Sequence, residues 1–132
     1  PLGHDQVLAS IDARMGEVNV VRQVRVDGVW QQQGEEQVCA PDAVELPDGS
    51  RWFGVGTGFA AADGLLSARL ADRLEGVDAL ALPRASDVLA LAVPMFERGQ
   101  VMAPERVEPA YLRNNVALTL VEQQAARAAK QG

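Results

Sequence analysis

A chain of 132 residues and 14.1 kDa has the size of one compact domain, and 48% hydrophobic with 23% charged residues is ordinary for a globule with its own core. A net charge of −6 argues against a freestanding nucleic-acid binder with a basic face, and the single Cys39 excludes an internal disulfide or a four-thiolate zinc cage. No apolar run approaches the roughly twenty residues that cross a bilayer.

Pro1-Leu2-Gly3 resembles the remnant of a cleaved tag, so the native reading starts at position 4. Val7 to Ile11 is short and apolar and reads as a strand, reversed at Arg14-Met15-Gly16. Val18, Val20, Arg22, Val24 and Val26 then share one face of a second strand, with Arg22 as the intruder that predicts a bulge or an edge. Asp27-Gly28 predicts a two-residue hairpin turn, whose central residues both need positive φ. A third strand starts at Val29-Trp30 and resumes toward Val38 after Gly34.

Pro41-Asp42 fits the start of a short helix that Pro47-Asp48-Gly49 stops. Trp52 to Val55 reads as a strand running into Gly56-Thr57-Gly58. Leu66, Leu70 and Leu74 recur every fourth residue, which predicts a helix over 61–74 ended by Gly76, with another strand over Val77 to Leu82. Ser86 or Asp87 is the expected cap of a last helix burying Leu89, Ala92, Val93 and Phe96, kinked or divided at Pro94 and stopped by Gly99. This order gives an α/β fold: a three-stranded antiparallel meander followed by helix-covered strands in one mixed sheet, which is the ribonuclease-H-like succession. The whole of 1–132 is expected to form a single domain, with 123–132 as an Ala/Gln-rich tail.

Catalytic constellations are sparse. His4 has no second histidine with which to share a metal, and Cys39 has acidic rather than basic neighbours, so neither an acid–base pair nor an activated thiol is indicated. Arg14, Arg69, Arg73, Arg84, Arg98 and Arg113 are scattered, and as solvated arginines paired with nearby acids they do not make an RNA-binding stripe. Three features stand out. Asp12, Arg14 and Gly16 put a carboxylate and a guanidinium at the first hairpin. Gly56, Thr57 and Gly58 form a glycine-rich turn where backbone can approach a ligand, although the Lys-Ser/Thr pair of a phosphate loop is missing. Tyr111, Leu112, Arg113, Asn114 and Asn115 follow Pro109 and form either a docked strap or a recognition segment.

The block Val7-Leu8-Ala9-Ser10-Ile11-Asp12-Ala13-Arg14-Met15-Gly16-Glu17-Val18 resembles the start of the C-terminal lobe of the TsaB family. Gly56-Thr57-Gly58 and Glu108-Pro109-Ala110-Tyr111-Leu112-Arg113-Asn114-Asn115 resemble two further blocks of that family in the same order. The resemblance implies a lobe of the actin-like ATPase superfamily, in a cytoplasmic, non-catalytic subunit of the machinery that makes threonylcarbamoyladenosine in tRNA. The implied partners are the catalytic TsaD and the ATPase TsaE, with tRNA contacted only indirectly and no membrane. No cofactor and no metal are implied, because the His-x-x-x-His pair of TsaD is missing here, and the older glycoprotease label lacks a nucleophile and a base. The family's first lobe, with its Gly-Pro-Gly-Ser-Phe-Thr-Gly-type segment, does not occur in this sequence. Most of the partner surface is therefore expected outside it, and an uncovered lobe interface favours self-association. The alternative is a half-lobe with weak ATP or ADP affinity at Gly56-Thr57-Gly58.

Overall fold

The structure, a computed structural model, describes residues 3–113. These form a mixed sheet of six strands: β1 (Gln6–Arg14), β2 (Glu17–Val26), β3 (Val29–Gln32), β4 (Gln37–Cys39), β5 (Trp52–Val55) and β6 (Leu74–Asp78). Across the sheet the order is β3-β2-β1-β5-β6, with β4 also pairing β2. The meander is antiparallel, whereas β1–β5 and β5–β6 are parallel. This is the expected mixed α/β sheet. Asp27 and Gly28 both have positive φ, 51° and 80°, as the two-residue turn requires.

Arg22 has a different explanation from the bulge or edge expected for it. The third strand is split in two, with β4 pairing Val18–Val20 and β3 pairing Gln23–Val26. Arg22 lies opposite the break. Its Nε donates to the Gln33 carbonyl at 3.2 Å and a terminal nitrogen to the Glu45 carbonyl at 3.3 Å. The charge thus satisfies carbonyls that an interrupted ladder leaves open.

One face of the sheet carries the core. Leu8, Val18, Val20 and Trp52 pack there against Val44, Phe59, Leu66, Leu70 and Leu74. Each fully buried Leu or Val contributes about 1.5–3 kcal/mol relative to exposure. Pro41–Ala43 makes only a single 3₁₀ turn before the chain crosses this face at Val44.

Two sequence expectations about helices are corrected. No helix runs through 61–74: α1 is Leu65–Arg69, flanked by 3₁₀ turns at Ala62–Gly64 and Ala71–Arg73. Asp63 and Gly64 sit in the left-handed region at φ 55° and 76°, which breaks any continuous helix before Leu65. Leu74 is extended because it opens β6, so the strand is Leu74–Asp78 rather than Val77–Leu82. Gly76 is inside that strand, where an added Cβ would come within 2.8 Å of the Phe53 ring. The three leucines are all buried, yet they reach the core from different elements: Leu66 from α1, Leu70 from its C-cap and Leu74 from β6.

The second correction concerns α2 (Ala85–Glu97), which runs through Pro94 as one assigned helix with Arg84 at its N-cap and no side-chain cap from Ser86 or Asp87. It has no buried residue, so Leu89, Ala92, Val93 and Phe96 do not pack on the sheet. Gly99, at φ 69°, ends it as expected, with the Gln100 N–H bonding back to the Met95 carbonyl at 2.9 Å. Among the described residues no helix is long and apolar enough to cross a membrane.

Candidate functional site

The three singled-out features meet at one end of the sheet. The carboxyl ends of β1 and β5 lie side by side there, at the place where the chain order across the sheet switches direction. The tip of the β1–β2 hairpin has three consecutive positive φ values: Arg14 66°, Met15 57° and Gly16 78°. For the two residues with side chains this is strained backbone, which persists only where its surroundings over-determine it.

Arg113 supplies that determination from about a hundred residues away. One terminal nitrogen donates to the Ala13 carbonyl at 3.0 Å and the Arg14 carbonyl at 3.3 Å, and it pairs with Glu17 Oε2 at 2.6 Å. The other approaches Met15 Sδ at 3.7 Å. Asp12 caps the turn through its Oδ1, which accepts from the Arg14 N–H at 2.8 Å, while the Arg14 side chain extends into solvent. Tyr111 is 79% exposed. With Leu112, Arg113, Ala13, Asn19 and Val38 it lines an open cleft of about 280 Å³. The expected Asn114 and Asn115 lie outside the described residues.

The glycine turn joins the same cluster from β5. The Asp12 N–H donates to Thr57 Oγ1 at 3.1 Å. A Cβ on Gly56 would stand 2.2 Å from the Ser10 carbonyl oxygen, and one on Gly58 would stand 2.0 Å from Ser10 Oγ. Ser10 is fully buried. Both glycines are therefore accounted for by the close approach of β1 itself. Thr57–Phe59 is one 3₁₀ turn and offers no extended helix N-terminus to an anion.

Sequence reasoning did not single out Ser10, and it included Glu17 only as the end of the Asp12–Glu17 hairpin segment. A Gly-x-Gly turn signals that some backbone comes close, but its partner is non-local and has no spacing rule. The remaining titratable side chains are elsewhere. His4 Nδ1 bonds Glu75 Oε1 at 2.8 Å and its ring stacks on Phe53 at 4.1 Å, by the opposite, amino ends of β1 and β6. Burial, then the Glu17 carboxylate, pushes the Cys39 thiol above its ordinary value of 9.0; Arg69 pulls the other way without reversing it. Arg69 donates to the Val44 carbonyl and Arg73 to the Pro47 carbonyl, so both brace the 44–48 segment. Among the described residues no three His, Cys, Asp or Glu side chains are grouped to hold a metal.

No family model matches the chain. It is 40% identical over 119 residues to the tRNA threonylcarbamoyladenosine biosynthesis protein TsaB of Escherichia coli (strain K12), a match covering 87% of this chain and 51% of that protein. The TsaB of Haemophilus influenzae is 39% identical over 121 residues, covering 85% and 49% respectively. Two solved structures share the fold. One is an uncharacterized Pseudomonas aeruginosa protein with similarity to peptidase YeaZ, at TM-score 0.72 and 36% identity over 85% of this chain and 51% of that one. The other is YeaZ from Pseudomonas aeruginosa, at TM-score 0.66 and 34% identity over 83% and 50%. The chain spans about half the length of the curated relatives it matches, and over that half it is similar to TsaB proteins.

Proposed function

We propose that this chain is the C-terminal, non-catalytic lobe of a protein that acts in making threonylcarbamoyladenosine in tRNA, supporting the catalytic TsaD and the ATPase TsaE in the cytoplasm. The carrying observation is the cluster at the carboxyl ends of β1 and β5. Most of its polar groups bond one another or nearby backbone: Arg113 to Glu17 and two carbonyls, Asp12 to the Arg14 N–H, and Thr57 to the Asp12 N–H, whereas Ser10 Oγ and Arg113 Nε are buried without a partner. Such a cluster fixes the shape of a surface, and its unpaired Ser10 hydroxyl is fully buried with no base hydrogen-bonded to it. Peptidase chemistry finds no support, since His4 lies by the amino ends of β1 and β6, at the opposite end of the sheet from this cluster, and burial and Glu17 raise the Cys39 thiol rather than lowering it. The nucleotide alternative is not favoured, because Ser10 occupies the approach that the glycines leave open.

The test joins this chain to the half of E. coli TsaB that it does not match and runs the product on size exclusion with TsaD. We expect co-elution of the joined protein and weak or no co-elution of the 132-residue chain alone. Tight binding by the chain alone overturns the expectation that the main partner surface is on the other half. Failure of a folded joined protein to bind overturns the scaffold reading.

A further inference from the structure

The largest departure from globular packing in the described residues is α2. Thirteen residues form a helix with none buried. Val88, Leu91 and Met95 follow one another along the helix at spacings of three and four, and Leu89, Val93 and Phe96 do the same on the adjoining line. Together they make a continuous apolar arc. Their exposures run from 47% at Met95 to 74% at Phe96. The segment leading in adds Leu80 and Leu82, at 88% and 64%. Charge is confined to the margins, at Asp87, Glu97 and the flanking Arg84 and Arg98.

Such a surface is abnormal for a finished monomer, in which contiguous apolar patches are small. It also leaves α2 poorly supported. A helix of about this length is marginal in water without a packed face, and its interior proline adds a further penalty. The core offers no cover, since it lies between the sheet and the 44–74 region.

The relatives indicate the cover. The E. coli match takes in 87% of this chain, which leaves too few unmatched residues at either end for α2 to escape it. Those proteins thus carry the α2 segment, and they carry about as many residues again that this chain does not span. A surface tied to α2 in one polypeptide meets it at high effective concentration, whereas a second copy must overcome dilution.

We propose that the apolar arc of α2, with Leu80 and Leu82, is the docking surface for the half of a TsaB-family protein that this chain does not span. The partner surface it fits is apolar and uncharged at its centre, with charge only at the rim. The inference uses the similarity to TsaB proteins but not the role in tRNA, so each can fail without the other.

Hydrogen exchange read by mass spectrometry tests it on two proteins: this chain, and intact E. coli TsaB. In the dilute chain, the amides of 85–97 should exchange within about tenfold of an unstructured peptide, and light scattering should report a monomer. In intact E. coli TsaB the aligned segment should exchange at least about a hundredfold more slowly. Equally slow exchange in the chain alone overturns the proposal, because the chain or a second copy then covers α2. Equally fast exchange in both proteins overturns it as well. A second measurement uses Phe96→Asp in the joined protein described above. That substitution should speed exchange of α2 at least about tenfold while leaving β1 and β2 amides unchanged; an unaltered α2 also contradicts the proposal.

Discussion

Arg113 ties the chain's most distant described segment to a strained turn. Replacing it with Met keeps the bulk but removes the donors to Ala13, Arg14 and Glu17. The loss should cost about 1–3 kcal/mol in denaturant unfolding, with Lys recovering only part because it lacks the planar fork. The two glycines beside Ser10 make a sharper prediction. Gly58→Ala collides with the Ser10 side chain, so adding Ser10→Gly should return part of its lost stability in a double-mutant cycle. Gly56→Ala collides with the Ser10 carbonyl and has a φ of 104°, so the same second substitution should not rescue it. A nucleotide-cradle role predicts no such difference in stability.

Cys39 carries the pH prediction. Its thiol is held above 9.0 by burial and by Glu17, so the folded state binds the proton more tightly than the unfolded state does. The associated stability is intact below pH 9 and is lost as pH rises through the folded value. Unfolding measured across pH 8–11 should show a decline that Cys39→Ala makes shallower, and the thiol should alkylate slowly near neutrality.

Among the elements, strands were more legible than helices. Trp52–Val55 falls where its apolar run and glycines put it, and the Asp27-Gly28 turn follows from local φ demands. Leu66, Leu70 and Leu74 have helical spacing, but the spacing reports only that all three are buried. Left-handed backbone at Asp63 and Gly64, and parallel pairing of Leu74–Asp78 with β5, override it. The meeting of the hairpin, the glycine turn and Arg113 was not legible either, because sheet order, not spacing, brings them together. At α2 the pattern correctly marks an apolar face, but among the described residues nothing buries it. Leu66→Ala should therefore cost about 2–5 kcal/mol, whereas Leu89→Ala should stay within about 0.5 kcal/mol in the same thermal or denaturant experiment.

The described residues form an asymmetric body. One face of its sheet is closed by a core, one end is shaped by interlocked turns, and an apolar helix stands away from both. The most direct measurement is the threonylcarbamoyladenosine content of tRNA, by mass spectrometry of digested nucleosides, in E. coli depleted of its own TsaB. The depleted cells would carry the protein that joins this chain to the unmatched E. coli half. Restoration of the modified nucleoside, undiminished by His4→Ala or Cys39→Ala, is the outcome our account predicts. A folded, stably expressed joined protein that leaves the tRNA unmodified would contradict it.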